Sequence, residues 1–117
     1  MKVVATEKAP KALGPYSQGY VHNGIFYSAG QIPINPETDT VEATDIAGQT
    51  EQVCKNFAAV LEAAGTSFDK VLKTTCFLSD MGDFASMKCM QNILHQSLRE
   101  AVWQLRHYQK MCFVKWN

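Results

Sequence analysis

The sequence predicts an α+β fold, with a sheet covered on one face by helices, and three stretches carry that expectation. Tyr20–Tyr27 sets an Asn23-Gly24 pair between apolar and aromatic residues. That dipeptide suits a type I′ turn, in which both central residues take positive φ, so the stretch reads as a β-hairpin. Ile46, Val53, Phe57, Val60, Leu61 and Ala64 recur at helical spacing. Lys70–Leu78 is rich in β-branched and apolar types and reads as a strand with one face buried.

In chain order, Val3–Thr6 is expected as a short first strand, ended by the Lys8-Ala9-Pro10 turn. The hairpin follows, and Pro33, Asn35 and Pro36 then prevent further ladder pairing. Glu37–Thr40 is a polar turn. Thr44-Asp45 offers the N-cap of the first helix, and Gly65 is a natural stop at its far end. After the Lys70–Leu78 strand, Asp83 is expected to cap a second helix. The order β-β-β-α-β-α packs most simply as one sheet with helices on one side.

A chain of 117 residues makes a single domain spanning 1–117. Lys+Arg and Asp+Glu balance at 11 each, so no net field draws the chain to nucleic acid or membrane. No apolar run approaches the length of a spanning helix, and Met1-Lys2-Val3-Val4 lacks the apolar core of a signal peptide. Cys54, Cys76, Cys89 and Cys112 form no Cys-x-x-Cys and have no nearby His to complete a zinc set. They are expected to be reduced thiols of a cytoplasmic protein, with no metal site.

Beyond Gly82 the character changes. The remaining residues contain neither Gly nor Pro, although two strands and a turn would normally call for one. Met87, Met90, Leu94, Leu98, Ala101, Val102 and Leu105 recur at helical spacing, and Lys88, Arg99, Arg106, Lys110 and Lys115 face Glu100 alone. The expectation is a basic helical tail, either meeting a partner or presenting a solvated charged face.

Two motifs flank the hairpin: Gly14-Pro15-Tyr16-Ser17-Gln18 before it and Ser28-Ala29-Gly30-Gln31-Ile32-Pro33 after it. With their surroundings, A-P-K-A-L-G-P-Y-S-Q and A-G-Q-I-P-I-N-P-E-T, they resemble the Rid family, also called YjgF-like proteins. The likeness runs on through Asp45-Ile46-Ala47, Gln49–Asn56, Ala58–Gly65 and K-T-T-C-F-L-S-D-M-G-D-F-A, and stops at about Met87. The resemblance implies a chorismate-mutase-like sandwich, a mixed sheet with two helices on one face and two further strands after the second helix. It also implies a homotrimer with clefts between subunits, and strand faces such as that of Lys73-Thr74-Thr75 at the interfaces.

The tail departs from that pattern in a particular way. When it is back-translated and read one frame over, Met87 onward gives Glu, Val or Met, Tyr or His, Ala, Lys or Glu, and Tyr or His. The family has E-V-Y-A-x-Y-F there. The same frame permits Arg-Ser-Cys across Arg99–Val102 and V-A-V-A-A-L-P-K-D-V from Val102 to Cys112. Residues 88–117 therefore read as a frameshifted version of the family's ending, with its last two strands lost or replaced by helix.

The family hydrolyses reactive 2-imino and 2-enamino acids, and many members carry the name L-PSP endoribonuclease. The resemblance implies that an Arg in P-A-R-S-C grips the substrate carboxylate bidentately. The Tyr of G-P-Y and backbone N–H groups assist, and a Glu of the last strand positions water. No cofactor is implied, since an iminium carbon is already electrophilic and orientation with charge placement suffices. Tyr16, Gly30 and Gln31 match the family's binding motif, and Ala29 stands where many members have Ser. The Arg and Glu motifs are missing, and Arg99, in a different context, takes no such role. The catalytic residues are thus not assigned. Three functions follow: an imino-acid deaminase impaired by loss of the Arg, an endoribonuclease, or a non-catalytic trimer that binds small carboxylates or protein partners. Nothing in the family-like part suggests a nucleic-acid surface.

Overall fold

The computed structural model describes residues 1–78, 100–104 and 111–116, with side chains through residue 72 and at 74. Six strands form one sheet: β1 (Lys2–Val4), β2 (Gly19–His22), β3 (Ile25–Ser28), β4 (Val71–Leu78), β5 (Glu100–Gln104) and β6 (Met111–Trp116). Their spatial order is β1-β2-β3-β6-β4-β5. Every pairing is antiparallel except β4 with β5, so the sheet is mixed. Among the described residues one α-helix, α1 (Ile46–Ala64), covers one face. The expected second helix after Asp83 lies outside the described residues.

The hairpin forms as its turn chemistry requires. Asn23 and Gly24 take φ of 52° and 76°, and His22 pairs with Ile25 across the turn. The first strand is shorter than expected and ends at Val4. The reason lies at Thr6, whose backbone N–H donates to Gln18 Oε1 at 2.6 Å and whose carbonyl accepts from Gln18 Nε2 at 3.0 Å. A side-chain amide takes the place of a strand partner. At the other boundary, a 3₁₀ turn over Phe68–Lys70 delays β4 to Val71.

Helix α1 starts and stops where its signals lie. Asp45 accepts from the Gly48 N–H, while Gly65 adopts φ 79° at the other end. The Thr66 N–H reaches the Leu61 carbonyl and the Gly65 N–H the Glu62 carbonyl, a Schellman arrangement. Val53, Phe57, Val60 and Leu61 are all buried, packing with Val4, Phe26 and Val71 of the sheet. Burying each such side chain contributes about 1.5–3 kcal/mol. Phe26 also needs Gly19 on the neighbouring strand, because a Cβ there would lie 2.4 Å from the Phe26 ring. Thr74 is fully buried within its own chain, on the sheet face that α1 covers, while the side chains of Lys73 and Thr75 lie outside the described residues.

The tail corrects a larger expectation. Instead of a helix across Ala101, Val102 and the following residues, Glu100–Gln104 and Met111–Trp116 are strands. Helical spacing is a local signal, and here tertiary pairing overrides it. Strands β3 and β4 would each expose a row of unpaired N–H and C=O groups, and β6 satisfies both. Its aromatic and β-branched residues, with β5's Val102 and Trp103, fit a pleated surface. Among the described residues no helix is long and apolar enough to cross a membrane.

Phe57, with no exposed surface, sets the test of this packing. Phe57→Ala is expected to lower unfolding stability by about 3–5 kcal/mol, measured by urea titration. A loss under about 1 kcal/mol, typical of a surface change, would place the core elsewhere.

Candidate functional site

The two hairpin-flanking motifs meet at the open end of the β2–β3 ribbon. There the Ala29 N–H donates to the Gln18 carbonyl at 2.9 Å and ties the motifs together. Each motif then bends at a proline. The Tyr16 N–H reaches the Gly14 carbonyl at 2.8 Å around Pro15, and the Ile34 N–H reaches the Ile32 carbonyl at 2.8 Å around Pro33. These are γ-turns, for which proline's fixed φ is suited.

Between the bends runs a narrow crevice lined by Lys11, Leu13, Tyr16, Ala29, Gly30 and Gln31, among others. The structure thus brings together all four residues expected from sequence, Tyr16, Ala29, Gly30 and Gln31. They differ in access. Tyr16 is 52% exposed and Gln31 only 4%. The Tyr16 hydroxyl accepts from the Leu13 N–H at 3.2 Å, which leaves its own proton available to a ligand. Space for water-sized guests in the crevice is only about 20 Å³, little more than one water occupies. A wider cavity of about 460 Å³ runs along Val3–Glu7 and shares Lys11, Tyr16 and Gln18 with the crevice.

Two buried carboxamides hold the walls, and sequence reasoning gave neither a role. Gln18 is 7% exposed. Besides its Thr6 contacts, its Nε2 donates to the Pro10 carbonyl at 2.8 Å and to that of Ala9 at 3.4 Å. It therefore staples the Thr6–Pro10 loop to the start of β2. Asn56, with no exposed surface, donates from Nδ2 to the carbonyls of Ile32 at 3.1 Å and Ile34 at 3.0 Å. The available signal was a polar residue inside the apolar stripe, directly before Phe57.

The sheet order and the placement of α1 define the Rid, or YjgF-like, fold. The chain superimposes with a TM-score of 0.91 on the Rid-family protein YyfA of Yersinia pestis, at 35% identity, covering 99% of this chain and 98% of that one. The chain belongs to the endoribonuclease L-PSP family, whose model matches residues 6–107. The RutC family protein PH0854 of Pyrococcus horikoshii is 50% identical over 86 residues, 74% of this chain and 68% of that one. The 2-iminobutanoate/2-iminopropanoate deaminase of Escherichia coli strain K12 is 45% identical over 86 residues, covering 74% of this chain and 66% of the deaminase. Likeness to these two relatives covers about three quarters of the chain, whereas the YyfA superposition covers nearly all of it.

The staple at Gln18 is open to test. Gln18→Leu removes both donor and acceptor and leaves the Thr6 N–H and Pro10 carbonyl without their partner. A loss of about 1–3 kcal/mol in urea unfolding is expected, with amide shift changes concentrated in residues 5–18. Changes spread evenly over the sheet would contradict a local staple.

Proposed function

We propose that the chain is a Rid-type hydrolase of reactive 2-imino and 2-enamino acids, working in the cytoplasm, at a rate held down by loss of the family's carboxylate-gripping arginine. The observation that carries this reading is the convergence of Tyr16, Ala29, Gly30 and Gln31 on one crevice. The deaminase name of a relative at 45% identity supports the substrate class.

In this reading the substrate carboxylate sits against the Gly30 backbone and the Tyr16 phenol, with the imine carbon toward water. Water adds to the C=N bond to give a carbinolamine. Its collapse expels ammonia and leaves the 2-oxo acid, so the net change is imine plus water to oxo acid plus ammonia. The enzyme's part is orientation and charge placement. With no arginine fork in the family's context, the carboxylate forgoes charge-assisted hydrogen bonds, each contributing about 1.5–3 kcal/mol. That corresponds to roughly one to two decades in rate for each bond.

The crevice of one chain is too tight for such a substrate, which supports a site completed by a second copy in a homotrimer. An exposed sheet face supports that reading. Val3 and Tyr20 are paired in register, Tyr20 stacks on Tyr27 at 5.4 Å, and these residues occupy the sheet face opposite the one that α1 covers. Val3 is 58% and Tyr20 39% exposed, an apolar sheet surface of the kind interfaces use.

The test generates the imino acid in situ with a deaminating dehydratase and follows oxo-acid release. The chain as it stands is expected to be at least about tenfold slower than a variant whose residues 88–117 are replaced by the frame-restored ending. Equal rates would contradict the arginine argument. No hydrolysis by either would overturn the substrate class, and RNA cleavage by both would favour the activity in the family's name.

A further inference from the structure

We propose that Asn56 is a positioning residue for the Gly30–Ile34 wall of the crevice, fixing from within α1 the backbone to which the substrate carboxylate binds. The ligand part of this inference rests on the function proposed above; the wall-holding part does not.

Asn56 sits one residue before Phe57 and three after Val53 on the buried face of α1, with no exposed surface. A carboxamide there costs free energy unless its hydrogen bonds are met. All of its visible bonds serve one purpose. The Gln52 Nε2 donates to Asn56 Oδ1 at 3.0 Å, which sets which end of the amide is oxygen. The Nδ2 group is thereby turned to the Ile32 and Ile34 carbonyls, 24 and 22 residues earlier in the chain. Those two carbonyls bracket the γ-turn at Pro33, and the Ile32 carbonyl also accepts from the Ile34 N–H. One amide thus grips both arms of the turn that ends the Gly30-Gln31-Ile32 segment.

That segment, between β3 and the isolated Asn35–Thr40 bridge, lies outside the named strands, with a single bridge residue at Gln31. Loop backbone must be held within about half an ångström for a backbone N–H to be useful to a ligand, and supporting hydrogen bonds provide that precision. The relay Gln52→Asn56→Ile32/Ile34 runs from a rigid, well-capped helix to the loop. It is a polar network in which the described bonds are satisfied and directional, the condition under which such networks specify one geometry.

The experiment compares the wild-type chain with Asn56→Leu, which keeps side-chain size, and with Gln52→Ala, which leaves Asn56 in place but frees its orientation. Amide hydrogen exchange is read at Ile34, inside the turn, and at Leu61, in the core of α1. In Asn56→Leu the Ile34 amide is expected to exchange at least about tenfold faster while Leu61 changes by less than about threefold. Gln52→Ala should act in the same direction, by roughly threefold. If Asn56→Leu does not fold, Gln52→Ala decides alone. An unchanged Ile34, or Ile34 and Leu61 rising together, reduces Asn56 to a core residue and overturns the proposal. Titration of 2-oxobutanoate, followed at the Gly30 amide, gives the second readout. The half-saturating concentration is expected to rise by about fivefold or more in Asn56→Leu, and an unchanged value overturns the positioning role. If the wild-type chain shows no saturation, the substrate reading fails while the exchange data still decide whether Asn56 holds the wall.

Discussion

The sheet depends on one strand. β1-β2-β3 is a local meander and β4-β5 a parallel pair, and they have no described pairing with each other except through β6. On one side β6 pairs with Phe26 and Tyr27, and on the other with β4 from Val71 to Phe77. Without it each ribbon would present a bare edge, and small isolated ribbons are barely stable in water. Helix α1 could then cover only a divided surface. Because β3 leads directly into the Ala29–Gly30 wall, the central strand also anchors the crevice from behind.

Around that frame the crevice is held by side-chain amides more than by the ladder. Gln18 and Asn56 satisfy backbone groups that strands would otherwise pair, which lets two loops stay irregular yet fixed. The result is a contrast useful for binding. The backbone walls are locked, while Tyr16, half exposed and with no described acceptor for its phenolic proton, remains accessible. The walls leave room in the crevice for little more than one water, and the proposed function assigns the rest of the site to a second copy.

Much of the first 78 residues was legible because local chemistry decides it. Asn23-Gly24 dictates its own turn, and Asp45 and Gly65 bound a helix whose stripe is regular. The four expected site residues converge because they flank a hairpin, which brings its two ends together by construction. Long-range effects were not legible. The end of β1 is set by Gln18, twelve residues away from Thr6, and the role of Asn56 appears only once the loop lies beside α1. The tail misled for the same reason. Its helical spacing is a property of the segment alone, whereas two open edges elsewhere in the chain decide that Glu100–Gln104 and Met111–Trp116 are strands. The family fold thus extends past Met87, where the quoted motifs stop, and the family model itself reaches residue 107.

That extension rests on the register of β6, and two cysteines report on it. Cys76 of β4 and Cys112 of β6 are direct cross-strand partners, and opposed residues of an antiparallel pair bring their Cα atoms within disulfide range, about 4.4–6.8 Å. Mild oxidation of the folded chain with oxidised glutathione, followed by peptide mass mapping, measures the register directly. The account predicts a Cys76–Cys112 cross-link as the main intramolecular product. A chain that stays folded with Cys112 linked instead to Cys54 or Cys89 would contradict it.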